Sequence, residues 1–234
     1  MDWEPVFALL LYCVTDPDQE NNSCVPTFLI ASLCETWKRL LFASRNAHKT
    51  REIQQILGPE FEVRDLSAYP EISETVESGK SFEENAKLKA IAVSKKLSGL
   101  IIGDDSGLEV AALDSAPGIY SARYAGDKAT NKQNIDRLLE EIGRIGDQRR
   151  ARFRCVLALA RNGQILETFE GVVEGTIVDQ PRGSRGFGYD PIFVPKGFGH
   201  TFAELLAEVK NRISHRAEAI RALAASLAAL KPSD

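Results

Sequence analysis

The chain is short of several things, and each shortage removes a class of protein. It holds four cysteines in 234 residues, Cys13, Cys24, Cys34 and Cys155. No two are spaced C-x-x-C and no histidine pair lies near them, so the pattern of a zinc site is missing. Only Cys155 falls in the main body, which leaves no disulfide framework there, and a reducing, cytoplasmic location is expected. Long apolar runs are absent too. The longest, Val6 to Val14, is too short to span a bilayer, and the Met1-Asp2-Trp3-Glu4 before it is acidic where a signal peptide needs a basic start. No membrane partner is expected. Excess positive charge is also missing: a net charge of −4 argues against a nucleic-acid polymer as partner, although a single nucleotide needs only a few cations. There is no internal repeat, and the only biased tract is an Ala-rich end. The remaining composition, 44% apolar and 26% charged, is that of an ordinary globular chain of one large or two small domains.

Residues 1–37 differ from the rest. They carry three of the four cysteines, and Asp16 to Ser23 is polar without periodicity. Three readings stay open for this N-terminal extension: a real appendage, a disordered tail, or a start upstream of the native one. A short tail that adds nothing to the core is the preferred reading.

From Arg39 the pattern alternates. Arg39 to Ala43 reads as a first strand, and Ile53, Ile56 and Leu57 fall at helical spacing before Gly58-Pro59. Ser44, Asn46 and Lys49 therefore stand between a strand and a helix N-terminus, where free N–H groups and the macrodipole favour an anion. An ordinary N-cap would look the same without Lys49. Phe61 to Arg64 is a second strand, and Glu71, Glu74 and Glu77 follow in an acidic loop. Ser81 to Glu84 is a capping box that opens a helix to about Leu97, with Phe82, Ala86, Ala90, Val93 and Leu97 on one face. Lys89 falls in the middle of that face, so it must snorkel out or meet a partner.

Leu100 to Ile102 reads as the end of a buried strand, followed by Gly103, two adjacent carboxylates, Asp104 and Asp105, then Ser106 and Gly107. Such residues make a turn, or they leave room for Mg²⁺ and a phosphate. Thr130 with Gln133 caps a further helix striped by Ile135, Leu138, Leu139 and Ile142. Phe153 to Ala160 is a strand, Asn162-Gly163 a hairpin turn, Gln164 to Phe169 the return, and Gly171 to Val178 one more strand. The segment Pro181 to Pro191 is too irregular for a strand, and the glycines beside Phe187 would let a flat ring approach the backbone. Last, a helix runs on from Lys210-Asn211-Arg212-Ile213-Ser214-His215-Arg216 with Ala217, Ile220, Leu223, Leu227 and Leu230 as its stripe. Cations near a helix N-terminus oppose the dipole, which points to function at His215 and Arg216. The fold class is α/β with a mixed sheet.

These stretches together resemble the inosine triphosphate pyrophosphatase family, which hydrolyses non-standard purine nucleoside triphosphates. Its motifs stand here as Asp104 to Leu108, Ala116 to Tyr124, Ser44-x-Asn46-x-x-Lys49, Phe82 to Ala90, Gly186 to Pro191 and Lys210-x-x-Ile213-Ser214-His215-Arg216. The resemblance begins near Lys38 and runs nearly to the C-terminus, and it implies a single domain over residues 38–234. That domain would be an elongated, strongly twisted mixed sheet with two lobes around a nucleotide cleft. It implies Asp105 as catalytic base and Mg²⁺ ligand, with Glu71 as a second ligand. Ser44, Asn46, Lys49, Asn85, Lys89 and Ser106 would hold the phosphates. Phe187 would stack on the base, with Gly188, Tyr189 and Asp190 beside it, and Lys210, His215 and Arg216 would read the purine edge. It also implies a homodimer. The products would be a monophosphate and pyrophosphate, from ITP, dITP and XTP. A pyrimidine-directed pyrophosphatase and a non-catalytic binding module are the alternatives. Ser214-His215-Arg216 and Phe187 to Asp190 speak against the first, and Lys49, Lys89 and Asp105 together against the second.

Overall fold

The computed structural model describes residues 39–145 and 148–229. The N-terminal extension, residues 1–37, and Leu230 lie outside the described residues. The order is β1 (Arg39–Phe42), α1 (Ala47–Leu57), β2 (Glu62–Asp65), α2 (Phe82–Ser94), β3 (Leu100–Val110), α3 (Asn131–Ile145), β4 (Arg150–Arg161), β5 (Gln164–Ile177), β6 (Phe193–Pro195), α4 (Ala207–Ile213) and α5 (His215–Ala229). The strands form one mixed sheet in the order β2-β1-β3-β4-β5-β6. β1 runs parallel to both β2 and β3, and the pairs β3–β4, β4–β5 and β5–β6 are antiparallel.

Local signals explain most element ends. Asn46 caps α1 by accepting from the backbone N–H of His48 and Lys49, and Gly58 ends the helix at φ 84. Ser81 caps α2 through the Glu84 N–H at 3.1 Å. Thr130 and Gln133 bond reciprocally ahead of α3. Asn162 and Gly163 take φ 52 and 77 in the two-residue turn that joins β4 to β5.

β3 and β4 run through the whole molecule and join two cores. On one sheet face α1 and α5 bury Leu40, Phe42, Leu100, Ile102, Leu157 and Leu159. Further along that face Leu108, Val110, Phe153, Phe193 and Phe202 pack with Ile135, Leu138 and Ile142 of α3. Since side chains alternate along a strand, one face of β3 reads Leu100, Ile102, Asp104, Ser106, Leu108, Val110. Two apolar cores are thus separated by two polar positions. Filling such a position with a buried apolar side chain would contribute roughly 1.5–3 kcal/mol, so the gap is a cost accepted for a site. The opposite face packs on α2 through Phe82, Ala86 and Ala90 against Val156, Ala158 and Ala160.

Three expectations are corrected. Gly103 to Gly107 does not end a strand: it is the middle of β3, paired with β4 from Ile101↔Ala160 to Val110↔Ala151. The two expected strands, Gln164 to Phe169 and Gly171 to Val178, are one strand, β5, which ends at Ile177, because Gly171 is a close approach and not a break. A Cβ there would lie 2.0 Å from the His215 carbonyl oxygen, so glycine lets α5 rest on the strand. The Lys210 segment is a separate short helix, α4, which ends at Ser214, where the chain is extended before α5 begins.

Candidate active site

Asp105, Ser106 and Gly107 of β3 form the floor of a cavity of about 240 Å³. Ser44, Asn46 and Lys49 line it from the β1–α1 turn, Lys89 from α2, Asp105 and Ser106 from β3, Phe187 to Asp190 from the irregular segment, Lys210 from α4, and His215 and Arg216 from α5. Residues far apart in sequence are brought together because β3 is central and its two faces receive α1, α2 and α5.

Asp105 lies between two glycines for a steric reason. A Cβ on Gly103 would sit 2.1 Å from the Ala86 carbonyl oxygen, and one on Gly107 would sit 2.4 Å from that of Gly118. The glycines let α2 and the short turn Gly118–Arg123 close on the strand around the carboxylate. Asn85 donates to Asp105 Oδ2 at 3.0 Å and accepts from the Gly79 N–H at 2.8 Å. Asn85 is thus buried behind Asp105 and is not part of the cavity wall. Lys89 Nζ lies 3.4 Å from Asp105 Oδ1, 2.6 Å from Glu77 Oε1 and 2.9 Å from the Asp104 carbonyl oxygen. The partner required for a lysine on a buried helix face is therefore a pair of carboxylates. Burial, seconded by the negative charge of Glu77, raises the Asp105 pKa even against Lys89 and Lys49.

Asp104 has the opposite surroundings. It accepts from Lys49 Nζ, from Ser106 Oγ at 3.3 Å, from Cys155 Sγ at 3.3 Å and from Arg216 Nε at 3.4 Å. Burial pushes its pKa up, but Lys49 and Arg216 outweigh that and hold it well below the ordinary carboxylate range. Arg216 also bonds Glu52 through Nη1 and Ser106 Oγ through Nη2 at 2.8 Å. Lys210 Nζ sits between Glu52 Oε1, at 2.8 Å, and Asp190 Oδ2.

His215 is buried, stacks on Phe153 at 4.8 Å, and leaves Nδ1 without a partner among the described residues. Burial first, then the charges of Arg216 and Lys210, depress its pKa far below the usual value, so the ring is neutral near pH 7. Tyr189 turns its hydroxyl to the Ser121 carbonyl oxygen at 2.9 Å, which anchors the loop carrying Phe187. Asp190 accepts from the Phe187 N–H at 2.8 Å.

Glu71 is exposed and does not line the cavity. The acidic loop instead turns in Glu77, which bonds both Lys89 and Arg123. Glu52 was also missed by sequence reasoning. A charged residue three positions after Lys49 on an exposed helical turn carries no signal until its two cations arrive from α4 and α5. Among the described residues no three His, Cys, Asp or Glu side chains form a metal-binding group. Asp105 and Glu77 are two hard oxygen donors converging on one cation, which suits Mg²⁺, usually held by one or two carboxylates together with phosphate oxygens.

The Ham1 family model matches residues 40–226. The dITP/XTP pyrophosphatase of Bacillus licheniformis is 47% identical over 195 residues, 81% of this chain and 98% of its own. That of Bacillus subtilis is 45% identical over 194 residues, with 82% and 98% covered. Among solved structures, a HAM1 protein from Coxiella burnetii superposes with a TM-score of 0.75 at 40% identity, covering 82% of this chain and 99% of that one. The Ham1 protein of Staphylococcus aureus gives 0.74 at 41% identity, covering 82% and 100%. With a match that takes in every strand pair of the sheet and every residue lining the cavity, the chain belongs to the Ham1 family.

Proposed function

We propose that the chain hydrolyses non-standard purine nucleoside triphosphates, dITP, XTP and ITP, to the monophosphate and pyrophosphate. The observation that carries this is a single cavity lined both by Lys49, Lys89 and Asp105 and by Phe187, Lys210 and His215. The first set suits a triphosphate and the second a purine. The named activity of the Bacillus relatives supports the same reading.

Phosphoryl transfer is chiefly positioning and charge neutralisation. Lys49 and Lys89 neutralise phosphate oxygens, assisted by the N-terminus of α1, whose first turn carries no acidic residue to offset the dipole. Both lysines are held by carboxylates, Lys49 by Asp104 and Lys89 by Glu77 and Asp105, so phosphate can replace carboxylate as their partner without leaving a bare ammonium. Asp105 holds the attacking water and accepts its proton; its raised pKa makes it a stronger base than an exposed carboxylate. Mg²⁺, when bound, would neutralise charge on the phosphates, and Asp105 with Glu77, in place of Glu71, would hold it.

Of Lys210, His215 and Arg216, base choice falls to His215. Arg216 and Lys210 already have carboxylate partners, so they fix Asp104, Glu52 and Asp190 and do not read the base on their own. His215 lines the cavity and has no carboxylate partner among the described residues. A neutral imidazole donating its one N–H meets a 6-keto oxygen and leaves the amino group of adenine unpaired. Leaving a buried donor unpaired costs roughly 1–3 kcal/mol. Guanine shares the keto group, so a separate contact must reject it. We also propose pairing of two chains, on the family resemblance, and a cytoplasmic location, on the cysteine usage of the main body; no helix of the described residues is long and apolar enough to cross a membrane.

Pyrophosphate release measured with ITP, UTP and ATP tests the reading. ITP should exceed both others by far. Equal turnover of UTP would favour a pyrimidine-directed enzyme, and binding without release would mean a non-catalytic module.

A further inference from the structure

An aromatic contact joins α1 to the glycine-flanked segment of Phe187 beside the cavity. His48, exposed in the first turn of α1, stacks on Phe187 with ring centroids 5.3 Å apart and planes 25° from parallel. Phe187 lines the cavity and His48 does not. Lys210 and Arg216, which do line it, lie over the Phe187 ring, Nζ at 4.9 Å and Cζ at 5.7 Å from its centroid. Phe187 thus lines the cavity, with Lys210 and Arg216 over its ring, and packs on His48, which lies outside the lining.

The chain around Phe187 does little to aim its ring. The neighbours are Gly186 at φ 73 and Gly188 at φ 60, both left-handed and without side chains to pack on it. The Phe187 N–H is tied to Asp190, which fixes the backbone and leaves the ring to its packing partners. His48 is the aromatic partner, and it stands one residue before Lys49 in the turn that faces the phosphates.

We propose that His48 is a positioning residue for the purine: it backs Phe187 and holds the ring as a fixed platform at a set distance from the phosphate-binding turn. This rests on the reading of Phe187 as the base-stacking residue. The effect is blind to base identity, because every base offers a π-face.

The test is steady-state kinetics of His48→Ala and His48→Phe with ITP, together with inhibition by inorganic tripolyphosphate, which has the phosphates and no base. His48→Ala should raise KM for ITP about threefold to tenfold, the size of one lost aromatic pair, and change kcat by less than about twofold. His48→Phe should restore KM. The tripolyphosphate inhibition constant should not move in either variant. Because His48 is exposed, both variants should melt with the wild type. An unchanged or lowered KM in His48→Ala overturns the proposal, as does failure of His48→Phe to restore it or an equal weakening toward tripolyphosphate. A wild type that releases no pyrophosphate from ITP would instead overturn the function proposed above.

Discussion

Asp104 and Asp105 are neighbours on β3 and point to opposite faces of the sheet. Asp104 turns toward α1 and α5 and collects two cations, a hydroxyl and a thiol. Asp105 turns toward α2 and receives one amide and one lysine that it shares with Glu77. Both are buried, yet one pKa is driven down and the other up. Burial acts the same way on each, so the neighbours decide. A carboxylate surrounded by cations is a strut between helices. One with too few cations stays basic and has room for a metal. Here the division of labour within Asp-Asp is set by which helix each face receives.

The strongest way to sharpen this contrast is to neutralise each acid in turn. Asp105→Asn should lower kcat by about 10²–10⁴-fold, the usual worth of a positioned general base, with an unfolding midpoint no lower than wild type. Near-wild-type turnover in that variant would remove Asp105 from the chemistry. Asp104→Asn should do the reverse to stability. It leaves Lys49 and Arg216 short of a buried partner, at a cost of about 3–5 kcal/mol in urea unfolding. A loss under about 1 kcal/mol would mean that Glu52 and Ser106 suffice for Arg216.

Glu77 and Glu71 make a second contrast, within one loop. Glu77→Gln should raise the Mg²⁺ concentration for half-maximal activity by about 10–100-fold, as for other losses around metal sites. Glu71→Ala, at an exposed position, should leave it unchanged. The opposite outcome, read from Mg²⁺ titrations of both variants, would return the ligand role to Glu71.

The smallest effects are in pH. The depressed pKa of Asp104 contributes stability that is present above its unfolded pKa of about 3.9 and is lost as pH falls through the lower folded value. The raised pKa of Asp105 works the other way: stability is present below about pH 3.9 and is lost as pH rises through the folded value. Asp104→Asn should therefore flatten the stability curve below about pH 4, and Asp105→Asn should flatten the decline above it. In activity, the acid limb of kcat/KM should lie above that of an unperturbed aspartate, and Lys89→Ala should move it higher, because Lys89 is the main charge lowering that pKa. Denaturation midpoints and rate profiles across pH 3–7 would check both; a limb that moves down in Lys89→Ala would break the assignment.

The sequence by itself determined the local pieces. Period and capping fixed α1, α2 and α3, because Ile53 and Leu57, Ala86 and Ala90, and Leu138 and Ile142 repeat with the helix and are buried as their spacing requires. Asn162-Gly163 fixed the hairpin, since both residues accept positive φ. The family motifs also named nearly every residue that lines the cavity, whereas by local pattern alone the same stretches read equally as an N-cap, a snorkelling lysine and a surface loop. Tertiary structure decided the rest. Gly103 to Gly107 has the composition of a turn and becomes mid-strand only because β4 pairs with every residue of it. Gly171 looks like a break and is a contact, visible only once α5 lies across β5. Glu52 gains its role from Arg216, 164 residues away, and Glu77 gains its own from Lys89 and Arg123. Above all, adjacent aspartates are chemically identical in the chain. Their different charge environments follow from alternation along a strand whose two faces meet different helices, and no local pattern encodes which helix arrives on which face.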